Sequence, residues 1–245
     1  QKGDNIIMKK VVKFGGSSLA NSDQFRKVGE IIRSEESRRY VVPSAPGKRF
    51  PEDTKVTDLL YACYKKAAAG EDFGEILREI KERYYEIIRG LGLELSLEKE
   101  FGQIEEDFKA HAGTHYAASR GEFLNGKIMA AYLGYEFVDA ASVIRFDKNG
   151  NFDGDKTDKL LEKRLAKCER AVIPGFYGDM EEGSVKSFSR GCSDITVSLV
   201  AKAVHADLYE NWTDVSGFLV TDPRIVDDPA VIETITYREL RELSY

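Results

Sequence analysis

Hydrophobic and polar positions along this chain switch between a period of two and a helical period. Val11-Val12-Lys13-Phe14 is a short β-branched and aromatic run that stops at Gly15-Gly16-Ser17-Ser18, after which Phe25, Val28, Ile31 and Ile32 recur at helical spacing. Tyr40-Val41-Val42 predicts a second strand, closed by the loop Pro43-Ser44-Ala45-Pro46-Gly47. A strand-helix-strand opening predicts a parallel sheet. From Thr57 to His115 nearly every residue is a helix former. Leu59, Leu60 and Cys63 share one face, and Phe73, Ile76, Leu77, Ile80, Tyr84, Ile87 and Ile88 share another. Gly90 and Gly92 separate these from a charged helical stretch over 97–112, whose Glu and Lys residues are expected to face water. Residues 57–115 thus read as a helical insertion between strands.

Alternation then resumes. A helix is predicted over 123–133, a strand at Glu136-Phe137-Val138, a helix over 157–167 and a strand at Ala171-Val172-Ile173. Pro174-Gly175-Phe176-Tyr177-Gly178 reads as the exit loop of that strand. A buried helix over 193–203 and a strand over 207–212, ending at Thr213-Asp214, complete the series. The acidic run Asp147–Asp155 has the look of a calcium loop. Phe152 stands at the glycine position in one register and Leu160 at the closing-glutamate position in the other, so the segment reads as a hairpin or turn. No repeat or low-complexity linker interrupts the pattern, which describes one α/β domain with a helical excursion.

Composition narrows the classes. With 245 residues, 42% hydrophobic and 32% charged, the chain can bury one large α/β core or two lobes, which excludes collagen-like and disordered readings. The 42 Asp and Glu residues outnumber 36 Lys and Arg, for a net charge of −6, and no basic tract stands out. Nucleic acid is not an expected partner. The three cysteines, Cys63, Cys168 and Cys192, form no CxxC or Cys/His cluster, which fits neither a disulfide framework nor a zinc site. No apolar run approaches the roughly 20 residues that span a bilayer, and the first ten residues lack a signal-peptide core. A soluble, cytoplasmic protein with no membrane partner is expected. Residues 1–7 precede Met8 and are expected to be a tag or disordered leader, with the domain covering 8–245.

In parallel sheets, ligands collect beyond the carboxyl ends of the strands, so the strand-exit loops are where chemistry is expected. The sequence Lys13-Phe-Gly15-Gly16-Ser17-Ser18 combines glycines that let backbone N–H groups approach an anion with a lysine one step upstream. The same residues also suit a plain tight turn with a solvated lysine. A Walker A pattern is missing from the sequence, and His111, His115 and His205 lie outside every motif, leaving no Ser/His or Cys/His pairing.

Taken in order, Lys13-Phe-Gly-Gly-Ser-Ser, Ser44-Ala-Pro-Gly-Lys48, Arg190-Gly-Cys-Ser-Asp194 and Trp212-Thr-Asp-Val with Asp222-Pro-Arg224 resemble the aspartokinases of the amino-acid kinase family over nearly the whole chain. The resemblance implies a three-layer α/β/α fold with a largely parallel sheet. It implies ATP-dependent phosphorylation of the side-chain carboxylate of L-aspartate to 4-phospho-L-aspartate, the first step of lysine, threonine and methionine biosynthesis. Lys13 and Asp194 would be catalytic. Ser44, Thr57, Glu122, Phe176, Arg190 and Ser193 would bind aspartate, Arg190 at the α-carboxylate and Glu122 at the ammonium. Lys13, Gly15, Gly16, Ser17, Thr213, Asp214, Leu219 and Arg224 would hold ATP. Mg²⁺ would ride on nucleotide oxygens and water rather than in a protein cage.

Several of these residues also admit plainer readings: a surface salt bridge for Arg190, a solvated helix-start glutamate for Glu122, core packing for Phe176, a helix N-cap for Ser193 or Asp194, and a polar strand-exit turn for Thr213-Asp214. Two positions depart from the family pattern. Cys192 replaces a glycine, exposing a thiol to the substrate motif, and Leu219 stands where many relatives carry tyrosine. In the family the kinase domain is longer and is followed by a pair of ACT domains that bind lysine or threonine, so the resemblance further implies a catalytic domain from which its C-terminal part and the ACT domains are absent, and a homo-oligomer for the full-length protein. Rival readings are another kinase of the same fold, acting on glutamate, acetylglutamate, carbamate or UMP, and a non-catalytic amino-acid or nucleotide sensor.

Overall fold

The structure, a computed structural model, describes residues 8–188 and 193–213. The chain divides into two compact units, Gln1–Trp212 and Thr213–Tyr245, and the sheets and helices described belong to the first.

Strands β1 (Lys10–Phe14), β2 (Arg38–Pro43), β3 (Glu136–Phe137), β5 (Ala171–Val172) and β8 (Leu208–Trp212) form a five-stranded sheet in the order β3-β5-β2-β1-β8. Every pairing in it is parallel. Phe14 is level with Pro43 on one side and Trp212 on the other, so the loops after β1, β2 and β8 leave the sheet at the same edge. A second sheet, β4 (Arg145–Phe146), β6 (Tyr177–Met180) and β7 (Val185–Ser187), lies outside the sequence expectation. Its strands are two to four residues long, too short to set up an alternating pattern. Tyr177-Gly178, expected in an exit loop, begins β6.

Alternation along β1 sorts the core into two layers. Val12 and Phe14, with Val41 and Val172, face a cluster formed with helices α1 (Ser22–Arg33), α2 (Val56–Ala68), α3 (Gly74–Gly90), α4 (Glu98–Lys109) and α5 (Thr114–Leu133). Val11, Val42 and Ile173 face the other way, against α6 (Ala140–Val143), α7 (Gly154–Leu165) and α8 (Ser193–Ala203). The result is a helix-sheet-helix sandwich with a largely parallel sheet. The inserted helices are packed into the first layer rather than set apart from it.

Local chemistry starts and stops these helices. Asn21 caps α1 by accepting from the Gln24 N–H at 3.0 Å, and Asp153 caps α7 by accepting from the Lys156 N–H at 3.0 Å. Gly134 ends α5 in the left-handed conformation, φ 70°. Asp147 accepts from the N–H groups of Asn149 and Asn151, so the acidic run is a turn, and its last aspartates begin a helix. The charged stretch before α5 is only partly solvated, because the half-buried Glu100 pairs with Lys127 of α5.

The main correction concerns α5. It starts at Thr114, nine residues before the expected helix, and its stretch 117–122 is wholly buried. A helix surrounded by protein carries no polar stripe, so its start leaves no periodic signal.

Candidate active site

Lys13 lies one residue before the end of β1, on the face of the sheet that meets α8. Its Nζ lies 2.9 Å from Asp194 Oδ1, in the first turn of α8. The Tyr209 hydroxyl of β8 donates to the same oxygen at 3.0 Å. Burial and the neighbouring Asp194 charge raise the Tyr209 pKa, so the hydroxyl stays protonated. The Lys13 side chain is 15% exposed and that of Asp194 51% exposed, which places the cation at the floor of the edge and the carboxylate at its rim. Lys13 is therefore not a solvated turn residue.

Two loops meet above this floor. Residues Gly16–Leu19 form a single 3-10 turn, and the Gly47 N–H donates to Gly16 O at 2.8 Å. The backbones touch so closely that a Cβ on Gly16 would sit 2.8 Å from Ala45 O, and one on Gly47 would sit 2.7 Å from Gly16 C. Gly15 is different. It has φ −72° and open space where a Cβ would go, so no steric need within the fold explains it. Ser17 is exposed beside it. Gly47→Ala is accordingly expected to force the loops apart at a cost of about 1–3 kcal/mol in a denaturant melt. Gly15→Ala should stay within about 0.5 kcal/mol of the unmutated chain.

The second loop is held from below by α5. Ser44 N–H donates to Phe14 O at 3.1 Å, and Asn125 Nδ2 donates to Ser44 O at 2.7 Å. Gly121 lets the helix approach this loop, since a Cβ there would lie 2.8 Å from Ala45 Cβ and 3.8 Å from Thr57 Oγ1. Thr57, half-buried in the first turn of α2, thus shares a corner with Ser44 and the next residue of α5, Glu122.

Glu122 is 8% exposed, in the middle of α5, which excludes a solvated helix start. Burial pushes its carboxyl up to about 7, against smaller downward pulls from the N–H groups of Glu122 and Ala45 and from Arg120. Its Oε2 has no hydrogen-bond partner among the described residues. A buried carboxylate oxygen without a partner is a costly arrangement that a cationic ligand group would relieve.

On the third side, Gly175 packs directly on the start of α8, where its Cβ would lie 2.9 Å from Ser193 Oγ. Phe176 follows with φ 84°, a left-handed backbone that a bulky residue adopts only under constraint. The constraint is visible: its N–H donates to Thr196 Oγ1 at 3.1 Å, and its carbonyl accepts from Phe188 N–H at 3.0 Å. Phe176 is half-buried and packs against the core of the second layer.

The fold therefore places Lys13 near the end of β1, Gly15, Gly16, Ser17, Ser44 and Phe176 in loops, Thr57, Ser193 and Asp194 in the first turns of helices, and Glu122 in the middle of α5. Thr213 is exposed immediately after β8. Arg190, Cys192, Asp214, Leu219 and Arg224 lie outside the described residues. Three contributors are not singled out by the sequence. Asn125 is one polar residue in a helix and Tyr209 one aromatic in a strand, while Gly47 belongs to the Ser44–Lys48 motif, where nothing marks it as the glycine that meets Gly16.

A profile of the amino acid kinase family matches residues 8–245. The chain belongs to the amino acid kinase family. Within it, the chain is 41% identical over 251 residues to Aspartokinase 3 of Bacillus subtilis, covering 96% of this chain and 55% of that protein. A crystal structure of Clostridium acetobutylicum aspartate kinase superposes with a TM-score of 0.91 at 51% identity, covering 97% of this chain and 55% of that one. Escherichia coli aspartokinase III in complex with aspartate and ADP superposes with a TM-score of 0.77 at 28% identity, covering 91% and 53%. The chain spans about half the length of these amino acid kinase relatives. Among the described residues, no helix is long and apolar enough to cross a membrane.

Proposed function

We propose that this chain forms the catalytic site of an aspartokinase, which moves the γ-phosphoryl group of ATP onto the side-chain carboxylate of L-aspartate to give 4-phospho-L-aspartate and ADP. The observation that carries the reading is the Lys13–Asp194 pair at the carboxyl edge of the sheet, together with the buried Glu122 carboxylate, whose Oε2 has no partner among the described residues. The likeness to aspartokinases at 41% and 51% identity supports it.

The chemistry needs little from the protein beyond placement and charge. A carboxylate oxygen of aspartate attacks the γ-phosphorus, the bond from that phosphorus to the bridging oxygen breaks, and its electron pair leaves on ADP. The attacking group is already ionised at neutral pH, so no proton has to be removed. Lys13 neutralises charge on the phosphoryl oxygens, and Asp194 and Tyr209 fix where its ammonium sits. The open turn at Gly15 gives phosphate oxygens access to backbone N–H groups. Mg²⁺, when bound with the nucleotide, supplies further neutralisation of phosphate charge. No three acidic, histidine or cysteine side chains converge among the described residues, and Asp194, the partner of Lys13, would be the carboxylate available to the ion. Glu122 takes the aspartate ammonium, Ser44 and Thr57 hydrogen-bond the substrate, and Phe176 walls the pocket. Arg190 meets the α-carboxylate, and Thr213, Asp214, Leu219 and Arg224 hold the nucleotide. A cytoplasmic homo-oligomer is the setting this reading implies.

The test is a coupled assay of ADP release with MgATP and a panel of aspartate, glutamate, acetylglutamate, carbamate and UMP. Turnover with aspartate alone is expected. Turnover with another acceptor would overturn the substrate assignment, and binding of aspartate and ATP without turnover would favour a sensor.

A further inference from the structure

One side chain of the helical insertion, Arg83, holds the backbone of the loop after β2. Arg83 of α3 is 2% exposed, and it lies 36 residues from Gly47 in sequence. Its Nη2 donates to Gly47 O at 2.8 Å and its Nη1 to Thr54 O at 3.0 Å, while Nη1 also lies 3.1 Å from Asp53 Oδ2. Asp53 is held from the other side by Arg49, whose N–H and Nε both donate to Oδ2 at 2.9 Å and whose Nη2 donates to Oδ1 at 3.1 Å. Arg49 is tied back to α3 through Glu86 at 2.9 Å. The later part of the loop after β2, residues 47–54, is thus fastened to α3, while Ser44 is held by α5.

Gly47 is the residue whose N–H donates to Gly16 O, and a Cβ on it would lie 2.7 Å from Gly16 C and 2.8 Å from Ser17 N. We propose that Arg83 is a positioning residue: by holding Gly47 it sets the height of the glycine turn after β1 and of Ser44, and so the placement of phosphate and substrate. The proposal rests on the aspartokinase reading for its catalytic consequence, but not for the mechanical one. A purely structural core position has cheaper occupants, since the buried Nε of Arg83 has no partner among the described residues. What arginine adds is a planar fork that meets two carbonyls and a carboxylate at once. A lysine there keeps the charge beside Asp53 but cannot hold all three.

The experiment compares the intact protein with Arg83→Lys and Arg83→Met by steady-state kinetics, thermal melting and hydrogen exchange read at peptides covering 14–18 and 44–50. In a variant that melts within a few degrees of the unmutated protein, exchange at both peptides is expected to quicken about tenfold. Because a displacement near 1 Å at reacting groups can lower turnover by two orders of magnitude, kcat is expected to fall about 10- to 100-fold. Exchange at 14–18 that stays unchanged, or a kcat within twofold, in a folded variant overturns the proposal. If both variants fail to fold, Arg49→Gln loosens Asp53 at a partly exposed position; the same two measurements then support or overturn the proposal by the same thresholds. Exchange needs no turnover: an unmutated protein that releases no ADP with aspartate overturns the proposed function and leaves loop positioning to be decided by exchange alone.

Discussion

Lys13→Met is expected to lower turnover with MgATP and aspartate by about 10³-fold while leaving the fold intact. The size follows from what the lysine does: removing one preorganised group aimed at developing phosphoryl charge typically loses two to three orders of magnitude or more. The fold survives because the ion pair it breaks is not what holds the layers together. Asp194 is half exposed and keeps the Tyr209 hydroxyl, so loss of the pair is worth about 0–1 kcal/mol. The aliphatic stem of Met still covers the face of α8. Measured together, kcat and melting temperature separate the two effects. A variant with near-normal kcat would remove Lys13 from the chemistry.

The second large effect concerns Glu122 and pH. Its carboxyl stands at about 7 when folded, against 4.5 when free, and burial is the cause. Between those values the folded chain keeps a proton that the unfolded chain releases. This group's contribution to stability is therefore greatest below the free value and is lost as pH rises through 7. Ligand binding runs the other way, because only the ionised form attracts the aspartate ammonium. From pH 6 to pH 8 the ionised fraction rises about tenfold for a group with this pKa, and the KM for aspartate is expected to fall by about the same factor. Glu122→Gln should raise that KM by about 10- to 100-fold, the worth of a charge-assisted hydrogen bond, and flatten its pH dependence. It should also flatten the fall in melting temperature between pH 5 and pH 8. A KM that remains pH-dependent in the glutamine variant would assign the titration to another group.

Much of the frame is legible in the sequence because its signals are local. β-branched runs ending in glycine or proline locate β1, β2, β5 and their exits, and the small-residue run at 193–203 coincides with α8 at both ends. The pairing of Lys13 with Asp194 spans 181 residues and leaves no local trace; only the family pattern points to both. Glu122 belongs to a recognisable motif whose surroundings the sequence does not betray, because a helix packed on all sides carries no polar stripe to mark its depth. Arg83 is invisible for a related reason: in a stretch dense with Arg, Lys and Glu, one buried guanidinium looks like every solvated one. The strain at Phe176 arises from hydrogen bonds to Thr196 and Phe188, neither adjacent in sequence.

The order β3-β5-β2-β1-β8 also governs how the molecule comes into being. β1 takes β8 as one of its two neighbours, with Lys10 level with Leu208, so a ribosome must make roughly two hundred further residues before that side of β1 is covered. Until then Val11 and Val12 sit on an open edge, the kind of surface that recruits other chains. Contacts of such sequence separation form late and slowly. Lys13 therefore waits through nearly two hundred residues of synthesis for its aspartate and for β8, and a nascent chain halted before β8 is expected to be both inactive and prone to aggregate.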